Sequence, residues 1–285
     1  MLSILIPAYN EAPSIKQTIE ELRTATAQTS TVYEIIVIDD GSQDDTAALA
    51  EQTGVTVIRQ PQNGGYGRAL KTGIRHAAYD WCAIVDADGS YPLAQITTLL
   101  TYIPRFDMVV GARTGEHYWG SLGKRLGRLA LLAMVAFVVG EWIPEVNSGF
   151  RIFRKSIALQ HSRRISSGFS FTTTLTLAML LEEHFVQFVP IDYLKREGKS
   201  KVRFPRDTLR TLQILTQAIL YYNPLKLFFL ICIAAVIVGL LIDLGNSLVV
   251  HQVQWTFLGG SILVSFIIGG LGLLAEAMRL NRIGQ

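Results

Sequence analysis

The C-terminal end of the chain constrains its fold more than any other stretch. No Lys or Arg occurs between Lys226 and Arg279. Two apolar runs lie in that gap: Leu225 to Leu244, interrupted by Lys226 and Asp243, and Phe257 to Leu274. A helix of about 20 apolar residues crosses the hydrocarbon of a bilayer, so each run is long enough to span. A polar segment, Asn246 to Gln254, separates them and carries no Lys or Arg. Basic residues bracket the pair, with Arg203, Arg206, Arg210 and Lys226 before it and Arg279 and Arg282 after it. The positive-inside rule then places both ends of the hairpin in the cytoplasm. The competing reading, a helical hairpin buried in a soluble core, is disfavoured because two such runs in succession are rare there.

The N-terminus, Met1 to Pro7, has no basic segment, and its apolar run is too short for a secretory signal. The expectation is a cytoplasmic domain tethered to the inner (plasma) membrane by two spans. Hydrophobic residues make up 49% of the chain and charged residues 17%, which excludes a disordered protein. Two cysteines, Cys82 and Cys232, exclude a disulfide scaffold or a cysteine-rich zinc module. A net charge of +3 gives no case for nucleic acid.

The N-terminal part alternates short β-branched runs with amphipathic ones. Strands are predicted at Leu2–Ile6, Glu34–Ile38, Val55–Ile58, Cys82–Val85 and Met108–Val110. Helices are predicted at Ser14–Leu22, Asp44–Gln52 and Arg68–Ala78. This βαβα order implies an α/β fold with a mainly parallel sheet covered by helices. Ligands of such sheets bind beyond the carboxyl ends of the strands. The residues at those ends are Pro7-Ala8-Tyr9-Asn10-Glu11, Asp39-Asp40-Gly41-Ser42, Asp86-Ala87-Asp88-Gly89 and Gly111-Ala112-Arg113. Asp44 and Asp45 read as helix caps. The remaining carboxylates would repel one another unless a cation or a donor-rich ligand lay among them.

Asp86 and Asp88 are two apart, so in extended chain both carboxylates face the same way. They can share one hard cation, with water and phosphate oxygens completing its shell. A cation on a diphosphate would neutralise charge on a leaving nucleotide. The plain alternative is an Asp-Gly turn. An EF-hand fits poorly, because Tyr91 stands where that loop requires glycine. Asn63-Gly64-Gly65-Tyr66-Gly67 opens a helix and either offers backbone N–H groups to a phosphate or shapes the domain as a turn. It departs from a P-loop, since Leu70 replaces the glycine before Lys71-Thr72.

Taken in order, the three acidic strand-end motifs resemble the family 2 glycosyltransferases of GT-A fold. Asn147-Ser148-Gly149-Phe150-Arg151, Val189-Pro190-Ile191 and Arg196-Glu197-Gly198-Lys199-Ser200-Lys201 resemble the polyprenyl-phosphate branch of that family. That branch includes dolichol-phosphate mannose synthases and bacterial undecaprenyl-phosphate sugar transferases. The resemblance spans about residues 1 to 225 and implies a Rossmann-like mixed sheet with helices on both faces. It implies that Pro7, Tyr9, Glu11 and Asp39 hold the base and ribose of a nucleotide-sugar. It places Asp86 and Asp88 on the sugar-nucleotide and on Mg²⁺ or Mn²⁺, and Arg113 near the phosphates. Close mannose synthases often have Gln as a third metal ligand where Ser90 stands here. A hydroxyl can still ligate, directly or through water.

A lipid phosphate with a second pKa of about 6 is largely ionised at neutral pH, so it can attack a sugar carbon without a general base. What it needs is cations that hold it beside the donor diphosphate. Arg128, Arg151, Arg196, Lys199 and Lys201 are the candidates, with a solvated loop as the bland alternative for the two lysines. Glu182-Glu183 reads as a solvated helix face. Two segments suit a membrane surface. One, over 121–140, follows Lys124, Arg125 and Arg128 with an apolar stretch too short to span. The other, over 206–224, places Leu209, Leu212, Leu215 and Ile219 at helical spacing. Both could instead pack into the catalytic core.

The predicted organisation is a catalytic domain over 1–205 carrying the interfacial helix 121–140, a juxtamembrane amphipathic helix over 206–224, and an anchor over 225–285. The anchor's spans are predicted at about 225–245 and 256–277. Gly239, Gly259-Gly260 and Gly269-Gly270 suit close packing of the spans between protomers in a homo-oligomer. The expected function is metal-dependent, inverting transfer of a sugar, glucose or mannose, from a UDP- or GDP-sugar to polyprenyl phosphate. A processive polysaccharide synthase would be expected to carry more spans and a Gln-x-x-Arg-Trp motif, which this sequence lacks. A non-catalytic binding protein should not need Asp86, Asp88 and Arg113 together.

Overall fold

A computed structural model of the protein describes residues 1–27, 29–168, 170–194, 204–250 and 255–283. It divides into two units, Met1–Arg210 and Thr211–Gln285, a few residues beyond the boundary expected from sequence. In chain order the first unit contains β1 (Leu2–Ala8), α1 (Ile15–Ala27), β2 (Tyr33–Asp39), α2 (Thr46–Glu51), β3 (Thr56–Arg59) and α3 (Tyr66–His76). It continues through β4 (Trp81–Ile84), α4 (Ile96–Leu100), β5 (Met108–Thr114), α5 (Glu116–Trp119) and α6 (Leu122–Val139). Next come β6 (Arg151–Arg154), α7 (Lys155–Gln160), α8 (Phe171–Leu181) and β7 (Val186–Asp192). Helix α9 (Phe204–Tyr222) leads into α10 (Pro224–Val250) and α11 (Thr256–Ile283).

The seven strands form one sheet in the order β3-β2-β1-β4-β6-β5-β7. Strand β1 is apolar almost throughout because both of its faces are covered. Leu2, Ile4 and Ile6 pack with Ile15, Ile19 and Leu22 of α1. Leu5, pointing the other way, joins Leu70 and Ile74 of α3 and Phe171 and Leu175 of α8. Each such side chain contributes about 1.5–3 kcal/mol on burial. Truncating Ile4 to Ala would therefore cost about 2–5 kcal/mol, cavity included.

All five predicted strands form, and two more join them. Strand β6 inserts antiparallel between β4 and β5, pairing Ile84 with Arg151 and Val110 with Arg151. Its alternation is legible afterwards, with Ile152 in one core layer and Phe153 in the other. Strand β7 lies at the sheet edge and pairs only with β5, where Pro190 opposite Ala112 is tolerated. Strand β5 runs to Thr114, so Gly111-Ala112-Arg113 lies within a strand rather than after one.

Helix α6 begins and ends within the predicted interfacial segment, and Gly140, in the left-handed region at φ 98°, caps it. Its inner face buries Leu132, Val135 and Val138, while Leu122, Leu126, Leu129, Met134 and Phe137 remain exposed. One face of this helix therefore packs into the catalytic unit, and the other presents apolar side chains outward. On α9, Leu215 and Ile219 are buried, whereas Leu209, Leu212 and Leu220 are exposed.

In the second unit, α10 and α11 contain stretches long and apolar enough to cross a membrane, Pro224–Leu248 and Thr256–Asn281. Both exceed the predicted lengths. Pro224 separates α9 from α10, and the Asn223 side chain caps the new helix by accepting from the Lys226 N–H at 3.2 Å. The buried Asp243 carboxylate accepts the backbone N–H groups of Phe257 at 3.2 Å and Leu258 at 2.7 Å, which caps α11. Ser265 donates to the Cys232 carbonyl and Cys232 to the Ser265 carbonyl, both at 3.3 Å. A side chain at Gly239 would strike Ser261 and the Phe257 carbonyl, so this glycine serves packing within the hairpin. Among the described residues, nothing lies within 4 Å of where a Cβ would stand at Gly259, Gly260, Gly269 or Gly270.

Candidate active site

The carboxyl ends of β2, β1 and β4 are neighbours, and this adjacency brings the three acidic motifs together. The loops after β1 and β2 are laced by hydrogen bonds. Asn10 takes a left-handed φ of 52°, donates its N–H to Ser42 Oγ at 2.9 Å and accepts from the Gln43 N–H at 2.8 Å. The Glu11 N–H donates to Thr46 Oγ1 at 2.8 Å. Asp44 accepts from the N–H groups of Ala12 at 3.2 Å and Thr46 at 3.1 Å, while the Asp45 side chain makes no cap bond. Burial raises the Asp44 pKa, but the Thr46 and Ala12 donors outweigh it and hold the carboxyl below its usual value. Tyr9 and Glu11 are half-buried on this frame, and Asp39 is buried with its carboxylate accepting from Ser42 N–H at 3.2 Å.

The glycine loop turns away from phosphate chemistry. Gly64 and Gly65 donate their N–H groups to the Asp40 carboxylate at 2.9 and 2.8 Å. Those donors already hold an anion belonging to the chain itself. Gly41 must be glycine, since a Cβ there would overlap the backbone of Gln62 and Asn63. Lys71 donates to the Ile165 carbonyl at 2.5 Å and to Ser167 Oγ at 3.1 Å, so it too shapes the domain.

Asp86 and Asp88 follow β4 directly. Asp86 is half-buried and its Oδ1 accepts from the Tyr66 hydroxyl at 2.9 Å. Burial, reinforced by the Asp86 charge, keeps the Tyr66 phenol well above its ordinary pKa and therefore protonated. Asp88 is buried, and its Oδ1 accepts from both the N–H and the hydroxyl of Ser90. Ser90, expected as a metal ligand, thus turns its hydroxyl onto the carboxylate beside it. The donor set at the β4 end is hard oxygen throughout and fits Mg²⁺ or Mn²⁺.

The loop 146–149 closes over this pair. The Tyr91 hydroxyl accepts from the Gly149 N–H at 2.8 Å, and a Cβ at Gly149 would run into the Asp86 carboxylate. Arg151 fixes that loop from below. It is wholly buried, and its guanidinium donates to the carbonyls of Ser148, Val146 and Thr172 and to Thr176 Oγ1. Burial lowers its pKa to about 10, which leaves it charged at neutral pH. This corrects the expectation of a phosphate-facing cation: Arg151 reaches the site only through the backbone it clamps. Apolar α8 supplies two of these acceptors, the Thr172 carbonyl and Thr176 Oγ1, a reason for threonine in an otherwise apolar helix.

Arg113 lies at the same edge, on β5. Its guanidinium forks onto Glu145, with Nε to Oε2 at 2.7 Å and Nη2 to Oε1 at 3.0 Å. Sequence reasoning passed over Glu145, which stands two residues before the Asn147–Arg151 motif. It is buried, and its Oε1 also accepts from Val146 N–H at 2.9 Å and Asn147 N–H at 2.7 Å. Burial pushes its pKa up, but the Arg113 charge and these donors outweigh that and hold the carboxyl below its usual value. Arg113 and Arg128 both stack on the Tyr118 ring, at 5.0 and 4.4 Å from its centre. Arg128 Nη1 is buried without a hydrogen-bond partner among the described residues. Arg196, Lys199 and Lys201 lie outside the described residues.

The model of the family described as glycosyl transferase family 2 matches residues 3–171, more than half of the chain. The chain belongs to glycosyl transferase family 2. It is similar to the low-salt glycan biosynthesis hexosyltransferase Agl6 of Haloferax volcanii, at 29% identity over 72% of this chain and 50% of that protein. The chain spans about half the length of that relative. It is also similar to the undecaprenyl-phosphate 4-deoxy-4-formamido-L-arabinose transferase of Sodalis glossinidius, at 27% identity over 96% of this chain and 87% of that one. Its fold matches glucosyl-3-phosphoglycerate synthase of Mycobacterium tuberculosis, crystallised with Mn²⁺, UDP-glucose and phosphoglyceric acid. That match has a TM-score of 0.63 at 17% identity, over 76% of this chain and 79% of the other. The fold is therefore GT-A, as the motifs implied.

Proposed function

We propose that this family 2 member is a membrane-anchored glycosyltransferase that moves a hexose from a UDP- or GDP-sugar to polyprenyl phosphate at the cytoplasmic face of the inner membrane. The carrying observation is the Asp86–Asp88 pair at the carboxyl end of β4, beside the β1 and β2 loops, in a chain that ends in two helices of spanning length. The relative that matches nearly the whole chain is named for transfer to undecaprenyl phosphate, which supports the lipid acceptor.

In this reading Pro7, Tyr9, Glu11 and Asp39 hold the base and ribose, and Asp86 and Asp88 hold the diphosphate end of the donor through Mg²⁺ or Mn²⁺. The ion supplies neutralisation of the charge that builds on the departing nucleotide. Tyr66 remains protonated and fixes Asp86 by its hydrogen bond, while Ser90 fixes Asp88. Arg128, whose Nη1 has no hydrogen-bond partner among the described residues, attracts the lipid phosphate by its charge, and Arg113, held in its Glu145 fork, contributes field at the same edge. Arg196, Lys199 and Lys201 are proposed as further phosphate contacts from sequence. The ionised phosphate attacks the anomeric carbon directly as the nucleotide leaves, in one displacement with inversion. Orientation and charge stabilisation then supply the catalysis, and no side chain needs to act as a base.

The test is a transfer assay in membranes with undecaprenyl phosphate, Mg²⁺ or Mn²⁺, and a panel of labelled UDP- and GDP-sugars. Label from one donor should enter the lipid phase and be abolished by EDTA. Nucleotide binding without lipid labelling from any donor would sink the lipid-phosphate reading.

A further inference from the structure

Three ligating side chains converge at the end of the sheet opposite Asp86 and Asp88. His161 follows α7, and Glu182 and His184 lie in the turn that leads from α8 into β7. Strand β7 begins beside Met108, the first residue of β5, so this turn sits at the amino end of that strand. Glu183, in the left-handed region at φ 61°, reverses the chain there, and the His184 N–H closes the turn onto the Met179 carbonyl at 2.9 Å. None of these residues belongs to the proposed transfer site.

His161 is 2% exposed. Its Nε2 lies 3.3 Å from Glu182 Oε2, yet it makes no hydrogen bond among the described residues. Burial lowers the imidazole pKa against the pull of Glu182, and Arg164 and His184 lower it further, which favours the neutral form. The His161 ring nitrogen is thus removed from water with no hydrogen-bond partner among the described residues, which is costly for a buried polar atom. The His184 ring stands 6.2 Å from that of His161. One ligand atom from each of the three residues falls within 4.8 Å of the other two.

We propose that His161, Glu182 and His184 form a binding site for a divalent transition-metal ion of the zinc class, distinct from the hard-oxygen pair at Asp86 and Asp88. Two imidazoles and one carboxylate suit Zn²⁺, whereas a set of oxygens suits Mg²⁺ or Mn²⁺. Around a tetrahedral zinc with ligands at about 2.1 Å, neighbouring ligand atoms stand about 3.4 Å apart. His161 Nε2 and Glu182 Oε2 already stand 3.3 Å apart, and the widest gap in the cluster needs to close by up to about 1.4 Å to reach that spacing. His184, half-exposed at the tip of the turn, is the ligand placed to move. Arg164 holds Glu182 Oε1 at 2.5 Å, leaving Oε2 directed at His161, an outer contact of the kind that orients metal-bound carboxylates. Water would complete the shell. The ion would tie α7, α8 and β7 together, and a ligand bound only by the folded state stabilises that state.

Co²⁺ is the probe, because tetrahedral nitrogen and oxygen ligation gives it a visible absorption band. It would be titrated into the full-length protein in detergent, with excess Mg²⁺ to occupy the oxygen site. The expected result is a band that saturates stoichiometrically, is displaced by Zn²⁺, and is lost in His184→Ala. Zn²⁺ should raise Tm in the wild type and leave it unchanged in that variant. His184→Ala carries the test because its side chain is accessible, whereas a change at buried His161 risks the fold. Absence of a band in the wild type overturns the proposal. So does a band that survives His184→Ala, and one lost instead in Asp88→Asn assigns the ion to the opposite end of the sheet.

Discussion

The catalytic unit and the C-terminal hairpin arrange polarity in opposite senses. In the first, apolar side chains such as Leu5, Ile38 and Phe153 are buried, and acidic residues gather at the sheet edge. In the second, Phe229, Ile237, Leu263 and Phe266 point outward, while Asp243, Cys232 and Ser265 bond between the helices. Water drives the first pattern, since burial of apolar surface is its main favourable term. In the proposed membrane setting lipid would remove that drive between helices, and close packing at Gly239 and Gly272 with a few polar contacts would hold the hairpin instead. Buried carboxylates matched by donors occur in both: Glu145 by Arg113, Asp40 by two glycine N–H groups, and Asp243 by the start of α11.

The comparison can be broken first at the site. Asp88→Asn should lower sugar transfer by roughly a thousandfold, about 4 kcal/mol of lost stabilisation, with the fold intact by circular dichroism. Unchanged transfer would remove Asp88 from the mechanism. Next is the buried pair. Glu145→Gln leaves Arg113 buried without its counter-charge and should cost about 3–5 kcal/mol in denaturant unfolding. This cost should depend on pH. Because the folded Glu145 pKa is depressed, its contribution is complete above the ordinary value of 4.5 and is lost as pH falls through that value to the lower folded one. The gap between wild type and Glu145→Gln should therefore close on acidification, and a gap constant with pH would refute the ion-pair account.

Smaller effects test the hairpin and the surface that resembles it. Asp243→Ala removes the cap of α11 and should lower resistance to SDS unfolding by about 1 kcal/mol. A larger loss would mean that Asp243 has partners beyond those two N–H groups. Leu126→Glu, on the exposed face of α6, should change stability by no more than about 0.5 kcal/mol. It should nevertheless raise the KM for the lipid acceptor if that face lies on the bilayer, and an unchanged KM would return α6 to the catalytic domain's surface.

Much of this organisation is legible in the residue order. The five parallel-direction strands, the acidic strand ends and both long apolar helices follow from periodicity, turn residues and run length, which are local properties. The partners of individual side chains are not local. Arg151 looks like a phosphate-binding cation in sequence, yet it is enclosed by carbonyls 3 to 21 residues away. The glycines at 64 and 65 look like an anion cradle, and they are one, but for Asp40. Glu145 gives no signal until β6 folds back and sets it against Arg113, 32 residues earlier.

The sequence alone therefore determined the elements and their chemistry: an α/β catalytic unit with Asp86 and Asp88 at a strand end, followed by helices of membrane length. The tertiary structure decided which charges face the site and which hold it together. That choice depends on strand order and burial. The antiparallel insertion of β6 buries Arg151 and brings Gly149 against Asp86, and pairings so distant in sequence leave no periodic trace along the chain.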